Sequence, residues 1–144
     1  QYMYFHFHCD DQGYDLLAGL FKRTAIEEMG HVEICAERIL FLNGDVDMGL
    51  KAKIEPIQDV AAMLEKARAM EEESAKEYNL WANESAANAD AATKKIFEAL
   101  VDDEERHFDQ YDTELVNLEK FGERYLALQS IERSKNMAAG GGGE

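Results

Sequence analysis

Helix-breaking residues are scarce in this chain of 144 residues. Proline occurs once, at Pro56, and four of the ten glycines sit together at Gly140 to Gly143. Proline removes a helical hydrogen bond and clashes with the turn before it, so its near absence predicts a mostly helical chain. Basic residues are also in short supply. Lys and Arg total 15 against 30 Asp and Glu, a formal net charge of −15. That balance excludes a nucleic-acid binder, which needs a basic face for phosphates. It equally excludes docking on an anionic membrane surface. It favours cations as partners, metal ions included. No apolar run approaches the roughly 18 residues that span a bilayer, and no signal peptide is visible. Two cysteines, Cys9 and Cys35, make neither a disulfide framework nor a Cys-x-x-Cys knuckle. A reducing, cytoplasmic compartment is therefore expected. The hydrophobic share of 46% suffices for one domain with a real core.

The few breaks divide the chain into helical segments. Tyr2, Phe5 and Cys9 recur at i, i+3, i+7, which predicts a first helix from Gln1 to about Asp11. Asp10 to Gly13 read as a tight turn. A second helix runs from about Tyr14 to Leu42, with Leu17, Phe21, Glu28, Val32, Cys35, Ile39 and Leu42 on one stripe. Asn43-Gly44 stops it, because both tolerate the left-handed conformation. Residues 44 to about 57 lack helical periodicity. They are too many for a hairpin and enough to cross a bundle from end to end. Pro56 and Asp59 suit the first turn of a third helix. It reaches about Ala87 and carries Val60, Leu64, Ala67, Glu71, Ser74 and Tyr78 on one face. A fourth spans about Ala91 to Phe121, with Ile96, Leu100, Glu104, His107, Tyr111, Leu115 and Leu118 inside. Gly122 ends it, and a short fifth helix covers about Glu123 to Arg133. One domain over residues 1–133 is expected, then a flexible Gly-rich tail from Ser134 to Glu144. Short, long and short links describe an all-α four-helix bundle with one crossover. Leu16, Leu20, Ile26 and Met29 lie off the stripe of the second helix. A helix apolar on several sides needs several neighbours, and another subunit is expected among them.

Three carboxylates fall where a core should be. Glu28, Glu71 and Glu104 sit on apolar stripes, whereas their neighbours Glu27, Glu72 and Glu105 do not. An ionised carboxylate buried without a partner is very costly, and few Lys or Arg lie on these faces. Metal ions are the better counter-charge. The histidines sharpen this reading. Glu28-Met29-Gly30-His31 and Glu104-Glu105-Arg106-His107 are both Glu-x-x-His. On a helix, i and i+3 share a face, so a carboxylate oxygen and an imidazole nitrogen can reach one ion. Two such pairs, with a Glu from each remaining helix, make a di-metal carboxylate site. Oxygen and imidazole ligands suit iron or manganese, with zinc open. No Glu precedes Asp10, so the fourth carboxylate is expected upstream of Gln1, which already lies inside a helical pattern. The natural start is accordingly expected to be missing.

These motifs, together with the run Glu37-Arg38-Ile39-Leu40-Phe41-Leu42-Asn43-Gly44 and the block Asp103 to His107, resemble the bacterioferritins of the ferritin-like superfamily. The resemblance covers nearly the whole chain and begins partway into the family's first helix. It implies a ferroxidase that oxidises Fe(II) with O₂ or H₂O₂ and stores Fe(III) mineral in a hollow cage. That cage is a homo-oligomer, expected to hold twenty-four subunits built from dimers. Two irons per subunit would be bridged by Glu28 and Glu104, capped by His31 and His107, and ligated terminally by Glu71. Tyr2 would lie beside them as a hydrogen-bond or electron-transfer partner. Met29 is rotated about 100° from Glu28. From spacing alone it reads as a packing methionine; the resemblance implies a ligand to haem shared across a twofold axis.

The chain also departs from the family. Cys35 and Gln110 stand where some members carry Tyr and Trp, and Arg23 where some place an inner-surface His. Cys9 and Cys35 are about 27 Å apart in an antiparallel hairpin, beyond disulfide reach, and both read as small core residues. His6 and His8 point apart on a helix and form no chelate; Tyr78 and Trp81 read as packing. Three other functions compete. A rubrerythrin-like peroxidase or oxidase usually carries a Cys-x-x-Cys module. A DNA-protecting mini-ferritin binds iron between subunits. A non-catalytic helical assembly protein would leave the donors unused.

Overall fold

The computed structural model describes the backbone of residues 1–140, and the side chains of all of these but 129, 133 and 136–140. It contains α1 (Tyr2–Asp11), α2 (Asp15–Phe41), α3 (Val60–Ala87), α4 (Ala91–Phe121) and α5 (Glu123–Gly140), with no strand among the described residues. No described helix is long and apolar enough to cross a membrane. Two antiparallel hairpins, α1–α2 and α3–α4, form the bundle. Gly13 makes the first turn at φ +83, a conformation that disfavours any side chain. Asn43, at φ 61, ends α2 in the left-handed region, and Gly44 N–H donates to Ile39 O at 2.9 Å.

The ends of the bundle are tied by hydrogen bonds between distant segments. At one end Gln12 Nε2 donates to Gln58 O at 3.1 Å. At the other Arg38 Nη2 donates to Asp90 Oδ1 at 2.8 Å. The start of α3 therefore lies beside the start of α2, and the crossover runs the length of the bundle. Lys66 pairs with Glu55 and Lys51 with Glu77 along its path. Asp59 is the N-cap of α3, accepting from Ala62 N–H at 2.9 Å. Asp90 likewise caps α4, accepting from Thr93 N–H at 3.0 Å. Each such cap satisfies an otherwise orphaned donor.

Three expectations need correction. Pro56 lies outside α3, because the cap falls on Asp59. The fifth helix continues past Arg133 to Gly140, and Lys135, Met137, Ala138 and Ala139 are residues that favour helix. Of the expected tail, residues 141–144 lie outside the described residues. Finally, the stripe of α2 is buried in its first half only. Leu17 and Phe21 are enclosed, while Val32, Ile39 and Leu42 are exposed. The ten described residues of α1 reach about 15 Å along α2 and pack against its first half.

The closed core fills the part of the bundle where all four helices overlap. Phe5, Leu17, Phe21, Met63, Leu64, Ala67 and Tyr111 are buried there. Tyr2 stacks on Tyr111 and Tyr111 on Phe21. This aromatic column ends directly beneath Glu71.

Candidate metal centre

The expected donors converge. Among the described residues, Glu28, Glu71, Glu104 and His107 each offer a ligand atom, all within 4.8 Å of one another. Glu28 comes from α2, Glu71 from α3, and Glu104 with His107 from α4. Burial tracks their place on each stripe: Glu71, Glu104 and His107 are closed off, and Glu28 is half-buried. His31 stands one helical turn along α2 from Glu28 and is buried as well.

The two imidazoles face the same carboxylates. His31 Nδ1 is 3.3 Å from Glu28 Oε2 and 3.2 Å from Glu104 Oε1. His107 Nδ1 is 3.4 Å from Glu28 Oε1 and 3.9 Å from Glu104 Oε2. Each carboxylate thus turns one oxygen toward each histidine, the disposition of a bridge between two ions. Glu71 Oε2 lies 3.6 Å from His107 Nδ1, so it serves one half of the site alone. Glu28 Oε1, His31 Nδ1, both oxygens of Glu104, and His107 Nδ1 are buried without a hydrogen-bond partner. Buried polar atoms are ordinarily satisfied. Five of them pointing at one another fit cations placed between them, and the oxygen and imidazole donor set fits iron or manganese.

Electrostatics agree. Burial would lower the pKa of His31, but Glu104 and Glu28 push it up to about 10. Burial would likewise lower His107, and Glu104, Glu28, Glu71 and Glu27 push it up to about 12. Burial raises Glu71 to about 8, with Glu104 adding to it. Glu104 itself is depressed: burial would raise it, but the nearby imidazoles of His107 and His31 prevail. Without metal, the imidazoles act as protonated counter-ions for the carboxylates. Metal binding must displace those protons.

Tyr2 donates its hydroxyl to Glu71 Oε1 at 2.5 Å, which leaves Oε2 turned toward His107. Met29 is 72% exposed and points away from the centre, as its rotation on α2 requires. Ile26, one turn earlier, is exposed too. Cys9 is buried in the core, whereas Cys35 is only half-buried, and both are free thiols. The expectation that Cys35 is a core residue fails because it lines a cavity of about 240 Å³ beside His31, with Glu28, Tyr78 and Trp81. Tyr78 and Trp81 pack on Phe97. His6 Nδ1 contacts Ala18 O, and His8 packs at a tilt against Tyr4.

Three residues escaped the sequence reading. Glu27, read there as a bystander, accepts from His107 Nε2–H at 2.6 Å. Asp103 takes the corresponding place at 3.3 Å from His31 Nε2. Arg106 contacts both of these carboxylates. Outer partners of this kind fix the tautomer and orientation of a metal-binding imidazole. The available signal was the doubled acidic pair: Glu27-Glu28 and Asp103-Glu104 each precede their histidine at the same spacing.

The donors converge within one chain, without a second subunit, which separates this arrangement from the mini-ferritin pattern. Comparison with known proteins points the same way. The model of the ferritin-like domain matches residues 1–121. The bacterioferritin of Desulfovibrio desulfuricans is 31% identical over 127 residues, 88% of this chain and 71% of that protein. That of Rhodobacter capsulatus is 32% identical over 122 residues, 83% and 74% of the two chains. A solved structure of the D. desulfuricans protein, described with its di-iron site in different catalytic states, has a TM-score of 0.88. It is 30% identical and covers 90% of this chain and 76% of the other. The Mycobacterium tuberculosis bacterioferritin has a TM-score of 0.84 at 25% identity, over 90% and 82%. A crossed-over bundle, a paired Glu-x-x-His centre and these relatives together make the chain a member of the bacterioferritin family.

Proposed function

We propose that this chain oxidises Fe(II) to Fe(III) at the centre just described and stores the product as mineral inside a homo-oligomeric cage, expected to hold twenty-four subunits built from dimers. The observation that carries the reading is the set of five orphaned donor atoms facing one another across the bundle. Glu28 and Glu104 would bridge two irons, His31 and His107 would cap one each, and Glu71 would complete the His107 side. Two bound Fe(II) ions supply the electrons that reduce O₂ or H₂O₂. Hard carboxylate oxygens favour the ferric state and so favour oxidation. Tyr2 holds Glu71 by its hydrogen bond and stands closest to the centre among the core tyrosines as an electron-transfer candidate. The closed aromatic column behind it excludes water from that side. A cytoplasmic setting belongs to the same reading.

Met29 fits a second group. Its thioether, a soft donor, stands exposed on the same side of α2 as the exposed Ile26. It would ligate haem together with its counterpart in a second subunit, and haem there would supply an electron route to the stored iron. Stopped-flow mixing of Fe(II) with the metal-free protein in air tests the oxidation reading. Rapid oxidation that saturates near two irons per chain is expected. Rates equal to those of free Fe(II) would overturn it. Size-exclusion chromatography tests the cage, where a monomer would contradict storage. Met29→Leu should abolish haem absorbance and leave the assembly intact.

A further inference from the structure

Arg106 sits one residue before His107 and leaves α4 toward the outer side of the centre. Its Nη2 donates to Glu27 Oε2 at 2.8 Å and to Asp103 Oδ1 at 2.9 Å. Those two carboxylates hold the far nitrogens of the two imidazoles. Glu27 Oε2 lies 2.6 Å from His107 Nε2, and Asp103 Oδ2 lies 3.3 Å from His31 Nε2. The connections are crossed: α2 supplies the acceptor for the histidine on α4, and α4 the acceptor for the histidine on α2. One guanidinium nitrogen joins both acceptors and closes the chain His31, Asp103, Arg106, Glu27, His107.

We propose that Arg106 is a positioning residue that holds both imidazoles of the centre through Glu27 and Asp103, so that the two metal half-sites are set together. A carboxylate only accepts hydrogen bonds, so each imidazole must carry a proton on Nε2. Each Nδ1 is then left facing inward, where the orphaned carboxylate oxygens lie. Glu27 and Asp103 have side chains 40% and 43% exposed. Water competes for such carboxylates, and the imidazole contact alone leaves them weakly held. Arg106 ties one oxygen of each while the imidazoles take the contacts described. Sharing a single donor also makes the orientation of one acceptor depend on the other, which two separate surface ion pairs would not do. The proposal rests on the metal-centre reading, and its test separates the two.

The experiment is a Co(II) titration of the metal-free full chain, followed by d–d absorbance, across a set of variants. Outer partners of this kind typically govern about 10- to 100-fold in metal affinity. Arg106→Ala is expected to weaken both binding steps about 10-fold. Glu27→Gln should weaken chiefly the His107 step, and Asp103→Asn the His31 step. Added to the double variant Glu27→Gln/Asp103→Asn, Arg106→Ala should change nothing further. Unchanged binding in Arg106→Ala, or an equal loss in the double-variant background, would overturn the proposal. A crystal structure of metal-free Arg106→Ala gives a second readout. Displaced Glu27 and Asp103 with reoriented imidazoles are expected; rings and carboxylates left in place would contradict it. Failure of the unaltered chain to bind Co(II) would instead sink the metal-centre reading on which the proposal rests.

Discussion

The two halves of the centre arise from the same motif and are not alike. His107 faces Glu28, Glu104 and Glu71, its far nitrogen is held at 2.6 Å, and a closed aromatic core lies beneath Glu71. Among the described residues, the inward nitrogen of His31 faces Glu28 and Glu104. Its far nitrogen has a longer contact of 3.3 Å, and a cavity of about 240 Å³ lies beside it. The motif fixes which donors each half receives, and the packing around it decides how strongly they hold. Changes at Glu71 should therefore be felt by the His107 half, and changes at the cavity by the His31 half.

The largest effect should come from a residue both halves share. Glu104→Ala removes one oxygen from each half and is expected to slow Fe(II) oxidation at least about 100-fold, beyond the usual cost of losing an outer partner. Stopped-flow oxidation and the loss of both Co(II) steps check it. Loss of one step alone would break the bridging geometry. Next come substitutions that touch one half. Glu71→Ala should weaken the His107 step by about 10- to 100-fold and spare the His31 step, whereas His31→Ala should do the reverse. Calorimetric titration separates the two, and equal effects on both steps would erase the asymmetry.

Acidity probes the same contrast in the metal-free protein. Both histidines titrate above their usual 6.5, at about 10 for His31 and about 12 for His107. Their stabilising contribution is complete below pH 6.5 and is lost as pH rises through those values. Glu71, raised from 4.5 to about 8, adds a loss across that interval. Glu28 and Glu104 are lowered, so their contribution is present above pH 4.5 and is lost on acidification below it. Urea unfolding of metal-free protein should accordingly show greatest stability between about pH 4.5 and 6.5, with the alkaline decline reduced in His107→Ala. The smallest effect is expected from Tyr2→Phe, which removes one hydrogen bond from Glu71. About 1 kcal/mol of stability should be lost, with the His31 binding step unchanged.

Much of this was legible in the order of residues. The bundle followed from stripes at helical spacing, one long link and two short ones, and the donors followed from Glu on apolar stripes with His three residues on. Other features depend on which element lies alongside. Glu27 looked solvated because its own helix turns it off the stripe, and Asp103 drew no reading of its own; only the packing of α2 beside α4 gives them imidazoles to hold. Cys35 shares a stripe with Leu17, yet is half-buried beside the cavity next to His31. Pro56 could open a helix, but the Asp59 carboxylate was the better cap. The last helix ran on because nothing between Ser134 and Ala139 stops one.

Diffraction from crystals soaked in Fe(II), with anomalous maps recorded at the iron edge, addresses the heart of the matter. Two peaks are expected between Glu28 and Glu104, one against His107 and Glu71 and one against His31. An empty space, with those carboxylates satisfied by protonated imidazoles after the soak, would contradict the account.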